Sequence, residues 1–207
     1  MSRLDHLLWS APVLEDGIDL IERLTGVRAA PGGRHPGRGT HNALLSLGED
    51  CYLEIIAPDP EQELEANLGA RLSARAMPGI FAFAICTDDL TGLGKTARDA
   101  GIPFRGPEDW SRKQPDGPEL FWQLGFADET EYGDHLPLFI DWKETTHPAR
   151  TTPGGLSLKL FEVMHPDREG LSDIYETLGI DLPVLRADRP AFRAILSGPR
   201  GELVLTS

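Results

Sequence analysis

The feature that most constrains this chain is that it restarts. An apolar strand, a helix that stops at glycine and a set of further strands follow one another three times, and repeats fix an architecture before any single element does. The first unit opens on Leu4-Asp5-His6-Leu7-Leu8 and carries Tyr52-Leu53-Glu54-Ile55-Ile56 near its end. The second opens on the apolar run 80–85 and carries Phe139-Ile140-Asp141-Trp142-Lys143 near its end. Each closing strand is apolar but for one carboxylate. If the units pair, Glu54 and Asp141 are expected to converge on one cavity, with a histidine in only one of the two opening strands.

The elements follow from periodicity and punctuation. Residues 4–11 read as a strand, and 14–25 place Leu14, Ile18, Ile21 and Leu24 on one helical face with Gly26 as the stop. The segment 29–39 has four glycines and two prolines and is expected to be a loop; strands are expected at 41–47 and 51–57. A connecting helix over 61–76 precedes the second unit. There a strand at 80–87 leads into a helix from Asp88-Asp89 to Ala100, then strands near 104–110, 119–126 and 137–143. Turn-rich residues 113–118 and an acidic stretch over 128–134 separate them. The third unit reads as a strand at 156–164, a helix at 166–178 stopped by Gly179, and strands at 184–187, 191–197 and 202–206. The divisions expected are 1–60, a connector at 61–78, 79–146, and 150–207, all in one compact unit.

Composition narrows the partners. The chain has 207 residues, 40% of them hydrophobic, enough for a packed core. Its 20 basic and 33 acidic residues give a formal charge of −13, which disfavours nucleic acid and anionic membranes. Cys51 and Cys86 lack metal or disulfide spacing and read as small apolar residues, in keeping with a cytoplasmic protein. No apolar run approaches the roughly 18 residues of a membrane span.

Ordered motifs carry a resemblance. Leu4-Asp5-His6, the loop Gly32-Gly33-Arg34-His35-Pro36-Gly37-Arg38-Gly39-Thr40-His41-Asn42, Tyr52-Leu53-Glu54, Ile140-Asp141-Trp142 and His147-Pro148-Ala149 occur in that order over nearly the whole chain. Together they resemble the glyoxalase-like family of the vicinal oxygen chelate superfamily, which includes glyoxalase I, extradiol dioxygenases and bleomycin-resistance proteins. The resemblance implies an α+β fold in which repeated βαβββ modules form an open, curved, barrel-like sheet with flanking helices. It also implies a cavity that commonly holds a divalent metal, ligated from the first and last strands of each module. Carried onto this chain, those ligands are His6, Glu54 and Asp141, with Phe81 standing where a second first-strand histidine is expected.

Two chemistries remain open. With Zn2+, Mn2+, Ni2+ or Fe2+ bound, the cavity implies a lyase, isomerase or dioxygenase acting on a small molecule, with Glu54 or Asp141 free for proton transfer and His41 or His147 as a further ligand. With no metal, it implies a protein that binds and sequesters a small molecule. Arg34, His35, Arg38, His41 and Asn42 make the glycine-rich segment the most cationic short stretch, suited to a carboxylate or phosphate or else a surface crossover. Phe81, Trp122 and Trp142, with His147, are candidate pocket walls, whereas Trp9 reads as core. Superfamily members are often dimers, so a homodimer is also an expectation.

Overall fold

The computed structural model describes residues 3–113, 119–127 and 130–207. Part of the turn expected at 113–118 and the beginning of the acidic stretch at 128–134 lie outside the described residues. The chain folds as β1 (Arg3–Ser10), α1 (Leu14–Thr25), β2 (Ala30–His35), β3 (Thr40–Ser46) and β4 (Tyr52–Pro58), then a short helix α2 (Leu68–Ser73). The second unit is β5 (Gly79–Cys86), α3 (Leu90–Asp99), β6 (Arg105–Lys113), β7 (Glu119–Phe126) and β8 (Leu138–Asp141). The third is β9 (Ser157–His165), α4 (Arg168–Thr177), β10 (Val184–Arg186), β11 (Ala191–Gly198) and β12 (Gly201–Thr206). No described helix is long and apolar enough to cross a membrane.

The first two units share one curled eight-stranded sheet of order β2-β3-β4-β1-β5-β8-β7-β6, an open half-barrel with mixed α+β architecture. In each unit the first strand lies parallel to the last, β1 to β4 and β5 to β8. The halves join where β1 runs antiparallel to β5. The third unit forms a separate sheet, β10-β9-β11-β12, in which β9 pairs with β10 in parallel and with β11 antiparallel. Its element order repeats that of the others; its wiring does not.

Side-chain alternation separates two faces of the large sheet. Leu7, Trp9, Leu53, Ile55, Ile80, Phe83 and Ile85 face the main core with Ile18 and Ile21 of α1. That helix ends at Gly26, whose φ of 82° lets its N–H reach back to the Glu22 carbonyl. Phe83 is fully buried and meets Phe161 at 5.2 Å, Phe192 at 5.9 Å and Tyr175 at 6.5 Å between ring centroids, so the seam of the first sheet rests on the third unit.

Two elements differ from expectation. The glycine-rich segment is not wholly a loop: Ala30–His35 pairs with β3 as the outermost strand, its ladder shifted between Pro31 and Gly33. Proline and glycine are tolerated there because an edge strand needs only one side of its hydrogen bonds, and the irregularity absorbs the rest. The connecting helix is also much shorter than 61–76. Asp59 holds the preceding residues in a turn by accepting from the Glu61 N–H at 3.0 Å and the Gln62 amide at 2.8 Å, and the helix begins only where Asn67 caps it.

Replacing Phe83 by alanine is expected to cost about 3–5 kcal/mol, because a buried ring is lost where the two sheets meet and cannot be refilled by collapse. Urea denaturation followed by circular dichroism measures this, and a loss below about 1 kcal/mol would contradict the role given to Phe83.

Candidate functional site

The seam between β1 and β5 is interrupted twice. Leu4 pairs with Ile85 and His6 with Ala84, leaving Asp5 as an extra residue; Leu8 pairs with Ala82 and Trp9 with Ile80, leaving Phe81 as another. A bulge turns consecutive side chains toward the same side. Asp5 and His6 therefore both lie away from the main core, and Phe81 and Ala82 do likewise.

These pairs interchange under the internal two-fold of the sheet, which carries Asp5 onto Phe81 and His6 onto Ala82. The flanking ladders extend the correspondence: Leu8 pairs with Glu54, and its counterpart Ala84 pairs with Leu138. The sequence expectation is corrected accordingly. Ala82, not Phe81, is the counterpart of His6, and Leu138, not Asp141, is the counterpart of Glu54.

The concave side of the half-barrel encloses a cavity of about 800 Å³. His6, Leu8, Tyr52, Glu54 and Ile56 from β1 and β4 form part of its wall, with His35, Arg38 and Asn42 from the glycine-rich segment and its neighbouring strand. Phe81, Trp110, Trp122, Phe126, Ile140 and Trp142 give the opposite half a broadly apolar, aromatic surface. The volume falls within the range of small-molecule pockets.

Beneath this wall lies a buried anion. Asp5 is fully buried and accepts from His6 Nδ1 at 2.7 Å, His147 Nε2 at 3.0 Å and Trp142 Nε1 at 2.9 Å. Ala149 donates its backbone N–H to His147 Nδ1 at 3.2 Å, which leaves the proton on Nε2, facing Asp5. Burial by itself raises the Asp5 pKa, but the hydrogen bonds from His147 and His6 outweigh it and hold the carboxyl well below its ordinary value. His6 is thus fixed through Nδ1, and its Nε2 faces Glu54 Oε2 at 3.5 Å. Its ring also stacks on Tyr52, with centroids 4.4 Å apart.

Glu54 is 6% exposed and receives the Asn42 amide N–H at 2.7 Å on Oε1. The other end of Asn42 accepts from Arg112 Nη1 at 2.8 Å. Because arginine can only donate and a carboxylate accepts, these two neighbours settle the orientation of the amide. His35 Nε2 lies 3.3 Å from the same Asn42 nitrogen, and its Nδ1 is 2.9 Å from Thr40 Oγ1. Burial lowers the His35 pKa to about 4, with Glu54 pulling the other way and Arg112 adding to the fall, so the ring is neutral near pH 7.

The remaining candidates are distributed as follows. Asp141 lies on the opposite face of β8 from Ile140 and Trp142; its carboxylate accepts from the Lys143 N–H at 2.8 Å and pairs with Lys143 Nζ at 2.7 Å. Arg34 turns outward to Asp59 and Glu61, and His41 alternates away from the cavity while Asn42 enters it. His147 sits behind the wall and braces Asp5. Trp122 and Trp142 line the cavity with ring centroids 5.4 Å apart. Trp9 is core.

Sequence reasoning did not single out Asp5, Tyr52, Trp110 or Arg112. Asp5 and Tyr52 stand within motifs already quoted, and their inward direction depends on ladder register. Arg112 lies beyond the strand expected at 104–110; extending β6 to 113 puts Trp110 and Arg112 on one face.

The ligand set expected from the resemblance takes donors from both halves. Here the second half offers Ala82 and Leu138, which have none. Among the described residues no three His, Cys, Asp or Glu side chains group as a metal-binding cluster. The residues do not fit the four-donor arrangement.

Comparison with known proteins agrees with the architecture. A family model described as a glyoxalase-like domain matches residues 4–179. Among solved structures, a hypothetical protein from Staphylococcus aureus is 16% identical with a TM-score of 0.66, covering 100% of this chain and 85% of that one. A methylmalonyl-CoA epimerase from Mycobacterium tuberculosis is 18% identical with a TM-score of 0.51, covering 68% and 87%. A methylmalonyl-CoA epimerase in complex with methylmalonyl-CoA and NH4+ is 16% identical with a TM-score of 0.51, covering 72% and 99%. At these identities the likeness is one of fold. No curated protein matches the chain.

The buried groups make stability depend on acid. Folded His35 stays neutral down to about pH 4 whereas the unfolded chain protonates it near 6.5, so the unfolded state binds more protons between these values and stability falls as pH is lowered through them. Asp5, held below its ordinary value of 3.8, extends the loss to lower pH by the same sign. Melting temperature measured from pH 7 to pH 4 is expected to fall, and to fall less in His35→Gln; parallel curves for the two proteins would contradict the assignment.

Proposed function

The chain belongs to the glyoxalase-like domain family, and on that premise we propose that it is a small-molecule enzyme of isomerase or lyase type in which Glu54 moves a proton. The observation that carries this reading is the Asp5–His6–Glu54 alignment in the wall of the cavity. Glu54 has one oxygen fixed by Asn42 and the other turned to His6 Nε2. A carboxylate so placed abstracts a proton from a substrate carbon next to a carbonyl or carboxylate group. Asp5 keeps the His6 proton on Nδ1, so Nε2 is free to take a proton from Glu54 and return it elsewhere on the substrate or to a leaving group. Tyr52 and the tryptophans exclude water around the reacting carbon, which strengthens these electrostatic contacts.

No step is routed through a metal. The proposal predicts that purified protein retains Zn2+, Mn2+, Ni2+ or Fe2+ well below one equivalent and that none of them raises its melting temperature. A one-to-one metal lost on His6→Ala, measured by elemental analysis, would replace the metal-free mechanism with a metal-assisted one.

Catalysis can be tested before the substrate is known. Small carbonyl and carboxylic acids incubated with the protein in D2O are expected to exchange the hydrogen beside the carbonyl or carboxyl group, read by proton NMR. Glu54→Gln is expected to slow the exchange by at least about 100-fold, the scale of a general base. A second reading, capture of a small molecule without reaction, draws on the apolar second half with Ala82 and Leu138. Tight ligand binding with no exchange by the wild-type protein would favour it over the enzyme.

A further inference from the structure

We propose that Arg112 is the carboxylate-binding residue of the cavity, so that the ligand is a small organic acid with an aromatic or branched apolar body. This deepens the reading of the cavity as a substrate site and rests on that reading.

Arg112 is 3% exposed and lines the cavity from β6. Its one described hydrogen bond runs from Nη1 to the neutral Asn42 amide, and its Nε is buried without a partner. Among the described residues no carboxylate forms an ion pair with it. The other arginines of the wall differ: Arg38 and Arg105 meet Glu108, and Arg71 meets Asp134. A permanent charge removed from water and left unpaired is costly, and an anion that enters the cavity relieves the cost.

The geometry selects the kind of anion. With Nη1 engaged, the edge formed by Nε and Nη2 remains, two parallel N–H groups whose spacing matches the two oxygens of a planar carboxylate. Gly32 makes room for the Arg112–Asn42 bond that fixes the guanidinium, since a Cβ there would stand 2.2 Å from both Arg112 Nη1 and Asn42 Oδ1. Trp110, two residues earlier on β6, and Trp122 and Trp142 supply the apolar surface for the rest of the ligand. Asn42 links the cation to Glu54, placing the general base beside the carbon that bears or adjoins the bound carboxylate.

Quenching of tryptophan fluorescence tests the proposal, using phenylacetate, phenylpropionate and phenylpyruvate, their methyl esters, and phenyl phosphate. At least one acid is expected to bind about tenfold or more tightly than its ester, the scale of a charge-assisted hydrogen bond. That preference is expected to vanish in Arg112→Gln and to weaken in Arg112→Lys, with melting curves confirming that both variants fold. Equal affinity for acid and ester, binding of no acid, an undiminished preference in folded Arg112→Gln, or tighter binding of phenyl phosphate than of every acid would overturn it. Glu54→Gln is expected to keep the acid preference. Loss of proton exchange as a property of the wild type would therefore defeat the catalytic reading while leaving this one standing, and an Arg112-independent preference would do the reverse.

Discussion

The antiparallel pairing of β1 with β5 is the contact on which the molecule depends. It joins two parallel-edged halves into one sheet, and its far face bears Phe83, through which the third unit is attached. A regular ladder would send alternate residues to alternate faces without exception. The two extra residues, Asp5 and Phe81, break that rule once in each strand, and each break places two consecutive side chains on the concave side. The polar centre and its apolar complement thus arise from the same local irregularity, filled with different residues.

The filling is strongly unequal. The first half contributes the Asp5 anion, an oriented imidazole and a carboxylate; the second contributes Phe81, Ala82 and Leu138 at the corresponding places. Burying Asp5 is tolerable because His6, His147 and Trp142 all donate to it, and two of the three arrive from distant segments of the chain. The same bonds that make the anion stable also fix the direction of the His6 ring. Stability and function are joined here in one carboxylate, whereas the facing wall is largely aromatic and apolar apart from Arg112 and the arginines paired at its rim.

Much of this was legible in the chain itself, and the exceptions share a cause. Helix α1 and its glycine stop follow from local spacing, as do the opening strands and the restart at residue 80. The glycine-rich strand β2 escaped because residue preferences describe an average position in a sheet, while an edge obeys looser rules. Arg112 escaped because the strand carrying it runs past the point where its apolar alternation fades. The matching of Glu54 with Asp141 went astray for a different reason. Similar words in two strands suggest equivalence, but equivalence is decided by the ladder, in which Glu54 stands beside Leu8 and Leu138 beside Ala84. His6 and Glu54 were recognisable from their motifs; the inward turn of Asp5 depends on a bulge in the β1–β5 ladder and on donors, Trp142 and His147, from far along the chain.

Asn42 stands between a cation and an anion with its amide locked by both. The three groups form a short electrical axis across one end of a cavity whose other walls are largely apolar and screen it little. A guest molecule would meet a directed field before it met any chemistry, and a polarised bond lying along that axis would be sorted end for end on entry. The cavity therefore has a polarity of its own, set by the folded chain.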